Sequence, residues 1–507
     1  MSKLKQVFEA ALGSDPLRQM SARLQEQIPV VSVTGPTGGA RSLAIAQAIL
    51  SENRPVAVFA ATNLEAQNLV LELRYFLELL GAAAPPVIHF PSLEVDPYRG
   101  LSPHPEIAAA RSQALWQLLQ DGNKVVVASA RAAVVRLKSP QRFLSFCLEL
   151  KQGESSPPEL VREHLRATGY VEDDPVTEPG EFSLRGGILD VFSPQMEHPL
   201  RLEFYGDVLE SLRTFDVDTQ RSITTMRAAE IIPMRETCPD SRALQRWAEE
   251  AGSHWSRPFH PSLEEEFARA RAGEPFPGFE FLLPAVDPLD HSLFDFLPGF
   301  RLVLCEREVL QTTVEKNYDE LYERFVDRVE ALKAVAEPQT IYLTAEEFNS
   351  HANRFPRLMM DELTAETEGA SPIFLSCQPG RKYHGNIREL ISDLEKFRQA
   401  GDRLVFLFSN LGRAERVADI LKEYEIPSHL YRGVEKDQDD DQVAEGSVLV
   451  GVGSLHAGFF LPASGLRVLT EHDVFDLAEV HAGPRRSKRA HRELFLSGLR
   501  MAVGEAE

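Results

Sequence analysis

Residues 28–50, IPVVSVTGPTGGARSLAIAQAIL, run from an apolar β-rich stretch into a glycine-rich turn and then a helical pattern. Strand, loop and helix in that order are the setting of a phosphate-binding loop, and they commit the start of the chain to an α/β layer. In a working loop, G-x-x-x-x-G-K-[ST], backbone N–H groups cradle the phosphates. The lysine reaches the β- and γ-phosphates, and the hydroxyl holds magnesium. Here the eight positions are Gly35, Pro36, Thr37, Gly38, Gly39, Ala40, Arg41 and Ser42. Ala40 puts a methyl group where backbone and phosphate must come closest. Arg41 keeps the charge, but a planar guanidinium is no copy of a compact ammonium. Gly35, Gly38, Gly39, Arg41 and Ser42 are therefore expected to mark a nucleotide site kept for its turn geometry.

The flanking segments extend this layer. Residues 55–61 (PVAVFAA) and 124–129 (KVVVAS) are short apolar runs, as buried parallel strands should be, with helical stretches near 64–80 and 106–119 between them. Alternating strand and helix implies right-handed crossovers and a parallel sheet. Near Phe300, FDFLPGFRLVLCERE gives another buried-strand pattern, ending in Cys305 and Glu306. An ATPase of this type needs Asp-Glu there, with the aspartate on magnesium. Thiolate suits softer metals. Losses at both the lysine and the aspartate predict a chain that does not hydrolyse ATP.

At 507 residues the chain is too long for one core and suggests three or four domains. A formal net charge of −22 repels a phosphate backbone and argues against broad duplex-DNA binding. Cys147, Cys238, Cys305 and Cys377 form no C-x-x-C pair, so neither a disulfide framework nor a zinc site is expected. The N-terminal MSKLKQVFEAALGSD reads as an amphipathic helix rather than a signal peptide. No apolar run approaches the roughly 20 residues of a membrane helix. The expected location is the cytoplasm.

Between about residues 151 and 233 the pattern switches to a period of two. EPGEFSLRGGILDVFSP and HPLRLEFYGDVLESLRTFDVDTQRS alternate apolar and polar residues, with turns or bulges at Gly186-Gly187 and Gly206-Asp207. An antiparallel sheet with one covered and one solvated face is predicted. Leu200, Leu202 and Phe204 face one side, and Arg201, Glu203 and Tyr205 the other. Phe182 and Leu184 likewise oppose Ser183 and Arg185. Exposed arginine and tyrosine are interface anchors. A solvated face with surface ion pairs is the plainer alternative.

GEFSLRGGILDVFSP followed by RLEFYGDVLESLRTFDVDTQRS resembles the domain that the transcription–repair coupling factor (Mfd) family and UvrB share for docking on UvrA. The resemblance implies that Arg185, Arg201 and Tyr205 contact UvrA, Tyr205 standing where the family usually has phenylalanine. Arg213 also matches a family arginine. Upstream, FPSLEVDPYRGLSPHPEIAAARSQAL passes directly from Pro97-Tyr98 to Ser102-Pro103-His104, without the Tyr-rich hairpin with which UvrB threads damaged DNA. UvrB also keeps an intact phosphate loop. Both differences favour the coupling factors.

Further on, residues from Glu236 to about Ala336 are expected to complete the first domain. Leu321, Phe325, Val329 and Leu332 recur at helical spacing as core, and His254, Trp255 and His260 read as structural. From about Pro372 the runs IFLSCQ, RLVFLFSN, SVLVGVG and LRVLTEHDVF read as strands, with helices near 387–399 and 411–424 and a solvated acidic loop at 436–442. SLHAGFFLPASGLRVLTEHDVF resembles the end of the family's third domain. The tail carries Arg485, Arg486, Lys488, Arg489 and Arg492. The resemblance makes it a linker toward RNA-polymerase-binding and motor parts expected beyond Glu507, so the chain is expected to be a piece of a longer protein. A basic segment that binds DNA is the other reading.

The expected fold is α/β: a degenerate RecA-like, UvrB-like parallel-sheet domain (1–146 and 234–352) with an inserted β-rich α+β domain (147–233). A smaller α/β domain (353–478) and a basic linker (479–507) follow. The expected function is to recruit UvrA without cofactor or metal in this chain. RNA polymerase and DNA would be engaged through the missing part, whose motor uses ATP and magnesium, and no membrane is involved. The resemblance also implies that this missing part masks the docking face at rest. The alternative is a UvrB-like ATPase or helicase that processes damaged DNA.

Overall fold

The computed structural model describes residues 2–52, 54–81, 84–254, 263–331, 335–363, 371–432 and 446–475. The acidic run at 436–442, the basic tail, Leu332, Trp255 and His260 lie outside the described residues. Among the described residues, seven parallel strands form one sheet. Their order is Ile373–Phe374, Val30–Thr34, Arg357–Asp361, Arg301–Cys305, Val56–Ala60, Val125–Ser129 and Val87–Phe90. Every residue of Val56–Ala60, Val125–Ser129 and Arg301–Cys305 is buried, as unbroken apolar runs covered on both faces require. One face packs Lys3–Leu12, Asp15–Gln25, Gly39–Ser51 and Asn63–Leu80 through Phe8, Met20, Leu43 and Leu73. The other packs Pro105–Leu119 and Arg307–Glu330 through Leu115, Leu310, Val314 and Leu321.

Arg301–Cys305 enters the middle of the sheet only after the chain has built everything from residue 130 to 300. Arg301 fixes the join. Its Nε and Nη2 donate to Glu52 Oε2 at 2.5 Å and Oε1 at 2.9 Å, and both side chains are 1% exposed. Nη1 adds a bond to the Ile28 carbonyl at 3.2 Å.

The intervening β-rich unit holds six strands among the described residues, ordered Ser222–Met226, Val208–Phe215, Leu200–Tyr205, Ile188–Val191, Glu181–Arg185 and Val171–Glu172. Pairing is antiparallel except at the last, parallel pair. Phe182, Leu189, Val191, Leu200, Leu202 and Leu212 form its core with Val161 and Leu165 of the helix Pro158–Ala167. Its two connections, Leu148–Lys151 and Ala228–Ile231, pair with each other. Arg111, fully buried in the helix Pro105–Leu119, donates from Nε and Nη2 to Glu236 at 2.8 and 3.0 Å and bolts the exit to the body.

The distal sheet runs Gln378–Pro379, Phe459–Leu461, Leu466–Thr470, Arg403–Phe408, Val448–Val452 and Ser428–Leu430, parallel from Leu466–Thr470 onward. Helices Ile387–Gln399 and Leu411–Glu423 cover one of its faces. The structure differs here from the expected division at residue 352. Arg357–Asp361 lies inside the first sheet and Ile373–Phe374 at its edge, so the IFLSCQ run is split between two sheets. A strand of five residues between a proline and an acidic turn carries too little pattern to reveal its partners. Nor is the distal unit separate, because Val405, Leu407, Leu449 and Val468 share one core with Leu4, Phe8 and Leu43.

Removing one partner of a buried ion pair strands the other charge, at a cost of about 3–5 kcal/mol. Glu52→Ala is therefore expected to lower the melting temperature of the parallel-sheet unit by several degrees, read by calorimetry. A melting curve that superimposes on the wild type's would show that Arg301 does not need its partner.

Candidate functional site

Two places carry the residues singled out by the sequence: the glycine-rich loop and the outer face of the β-rich unit. The loop joins Val30–Thr34 to Gly39–Ser51. Polar groups of the loop are engaged by the protein. Gly39 N–H donates to the Ala457 carbonyl at 3.1 Å. A Cβ at Gly39 would lie 2.4 Å from Leu455 Cδ2 and 3.0 Å from Ala457 O, so the distal unit presses directly on the loop backbone. The Ser42 hydroxyl donates to Glu72 Oε2, and Glu72 Oε1 accepts from the His456 N–H at 2.9 Å. Burial pushes the Glu72 carboxyl above its ordinary pKa.

Arg41 is 14% exposed, paired with Glu65 at 2.7 Å and Glu306 at 3.3 Å. Glu306, left-handed at φ 50°, also accepts from the Glu362 N–H at 3.1 Å, and burial raises its pKa. Burial pushes the wholly buried Cys305 thiol up to about 12, so it stays protonated at neutral pH. The structure thus brings Arg41, Ser42, Cys305 and Glu306 together around carboxylates, with Gly39 N–H on Ala457 O and Gly35 N–H on Asp361 O at 2.9 Å, one residue before Glu362. Glu72, Leu455 and Ala457 were not evident from sequence. A signal existed for Glu72, since it shares a helix face with the buried Leu69, Leu73 and Phe76. Among the described residues no group of three or more His, Cys, Asp or Glu is placed to hold a metal.

On the β-rich unit, strand register sets the outer face in two rows. Ser183, Asp190, Arg201, Arg213 and Thr225 are mutual cross-strand neighbours, as are Arg185, Ile188, Glu203 and Ser211. Gly187 is needed at the tight end, since a Cβ there would meet Phe204 O at 2.7 Å. Tyr205 is 81% exposed at the hairpin end, beside the exposed Ile188 and Val208. Arg185 is 58% exposed and pairs with Asp174 at 3.1 Å.

Arg201 departs from the expected exposed anchor, for its side chain is only 17% exposed. It forks onto Asp190, Nε to Oδ1 at 2.7 Å and Nη2 to Oδ2 at 2.8 Å, reaches Gln220 at 3.0 Å, and lies 4.4 Å above the Phe215 ring. Alternation gives the face a side chain points to, not how far its neighbours cover it. Arg213, 30% exposed, pairs with Glu203. The Ser211 hydroxyl, together with Arg213, holds the Glu203 carboxyl below its usual range.

These positions separate in a melting experiment. Arg201→Ala takes both hydrogen bonds from the buried Asp190, leaving it only the 3.8 Å approach of Arg185, and is expected to cost about 3 kcal/mol. Tyr205→Ala removes an exposed ring and is expected to stay within about 0.5 kcal/mol of wild type. Equal losses for the two would contradict the burial of the Arg201–Asp190 pair.

A family model described as the UvrB interaction domain matches residues 148–236. Relatives include the transcription-repair-coupling factor of Bacillus subtilis, 24% identical over 97% of this chain and 42% of its own length. That of Escherichia coli is 26% identical over 89% of this chain and 38% of its own length. That of Mycobacterium bovis is 27% identical over 98% and 41%. The chain spans about two fifths of the length of these curated relatives. Over nearly its whole length the chain is homologous to the transcription-repair-coupling factors of many bacteria, and the β-rich unit within it matches the UvrB interaction domain.

Proposed function

We propose that the chain is a recruitment module of transcription-coupled nucleotide excision repair. It docks on UvrA through the outer face of the β-rich unit and hydrolyses no ATP of its own. The observation that carries this reading is that Tyr205 and Arg185 are both exposed on one sheet face, inside the segment that matches the UvrB interaction domain. Aromatic and arginine side chains of this kind are the usual anchors of interfaces. Arg185, Tyr205 and Arg213 would contact UvrA directly, while Arg201 would brace the face through Asp190.

The parallel-sheet unit is read as a degenerate RecA-like layer with the β-rich unit inserted into it at about 147–233 and the distal unit following Ile373–Phe374. Support for its inactivity comes from Arg41, Ser42 and the Gly39 N–H, all bonded within the protein. In the longer relatives' context, RNA polymerase and DNA would be handled by parts other than this one, with ATP and magnesium serving a motor there. No described helix is long and apolar enough to cross a membrane, in keeping with a proposed cytoplasmic location.

Mixing the chain with UvrA at micromolar concentration should give a complex in a sizing column and a binding isotherm in calorimetry. Two separate peaks and no heat would sink the reading. Tyr205→Ala should weaken the isotherm by roughly 1–3 kcal/mol. Incubation with ATP and magnesium should release phosphate no faster than buffer. Turnover abolished by Arg41→Ala would restore the UvrB-like ATPase as the better account.

A further inference from the structure

Arg185 stands between two carboxylates of opposite character. Asp190 is buried, both its oxygens are taken by the Arg201 fork, and Arg185 Nη2 comes no nearer to Oδ2 than 3.8 Å. Asp174 is 46% exposed and meets Arg185 Nη1 at 3.1 Å. An ion pair with both members in solvent adds little stability, because water and salt screen it and two side chains lose rotamer freedom. It is therefore readily exchanged. A guanidinium carries five N–H donors in a fork suited to a second carboxylate, more than these contacts engage.

The surroundings of Arg185 give the exchange a direction. Ile188, its cross-strand neighbour, is 40% exposed, Val208 is 42% exposed and Tyr205 is 81% exposed. A partner that covers this apolar patch also takes Arg185 out of water. A desolvated guanidinium then requires a close carboxylate with good geometry. Asp190 is committed to Arg201, so the carboxylate comes either from Asp174 or from the partner.

We infer that Asp174 is an internal stand-in for a partner carboxylate: it holds Arg185 in the free protein and yields it to an acidic side chain of UvrA on docking. This rests on the reading of the face as the UvrA-docking surface. Asp174 then opposes binding twice, by occupying Arg185 and by placing a like charge near the incoming carboxylate.

Calorimetry of UvrA against wild type, Asp174→Asn, Arg185→Ala and the double variant tests this, with melting curves confirming that each folds. Asp174→Asn should bind roughly two- to fivefold tighter, the change expected when an exposed ion pair no longer competes. In the Arg185→Ala background the same substitution should give no more than a small residue of that gain, because there is no arginine to release. Unchanged or weaker binding by Asp174→Asn overturns the inference. So does equal tightening in both backgrounds, which would reduce Asp174 to simple repulsion. Wild type that fails to bind UvrA at all removes the docking reading and this inference with it; wild type that binds, without the gain, removes this inference alone.

Discussion

The architecture depends on the strand Arg301–Cys305 reaching the middle of a sheet whose other strands flank it from both halves of the chain. It lies between Val56–Ala60 and Arg357–Asp361, so the sheet is incomplete until the β-rich unit has been made and passed. An ion pair as buried as Arg301–Glu52 adds little net stability over a well-packed apolar pair, but it is unforgiving of misplacement. Glu52 ends the helix that follows the glycine-rich loop, and Arg301 opens the returning strand. The pair thus ties the end of the helix that follows the loop to the start of the strand that carries Cys305 and leads to Glu306.

Around the loop, the amide, hydroxyl and guanidinium groups are all bonded within the protein. The Ala457 carbonyl takes the Gly39 amide, Glu72 takes the Ser42 hydroxyl, and Glu65 and Glu306 take Arg41. Two of these links, through Ala457 and through the His456 amide on Glu72, come from the distal unit. Together with the shared core that includes Phe459 and Val468, they attach that unit to the first by contacts that need no nucleotide. At Gly39, Leu455 and Ala457 approach the backbone too closely for a side chain.

Much of this was legible in sequence, and the limits have physical causes. Unbroken apolar runs announced the buried parallel strands at 56–60, 125–129 and 301–305, and period-two alternation announced the two-faced sheet. The arginine at position 41, where a phosphate loop has lysine, was readable at a single position. What stayed hidden were contacts across long sequence separation. Nothing near Gly39 points to Ala457, and nothing near Arg201 says that Asp190 lies directly opposite until the strands are paired. Burial of Arg201 follows from that pairing together with Phe215 beneath it and Gln220 beside it, three neighbours from three segments. Local pattern gave the direction of the side chain; packing gave its role.

The same pairing holds charged side chains of the outer face in fixed positions, which bears on the proposed docking role. A flexible arginine loses rotamer freedom when it docks, and that loss subtracts from affinity. Here the ordering is done in the free protein. Asp190 locks Arg201 through two parallel hydrogen bonds, Glu203 holds Arg213, and Ser211 in turn fixes Glu203. The braced part lies in the middle strands, whereas Tyr205, Ile188 and Arg185 crowd the hairpin end, where exposure is greatest. A substitution at Arg201 or Asp190 therefore acts first on the fold, whereas one at Tyr205 removes a side chain that the fold does not need.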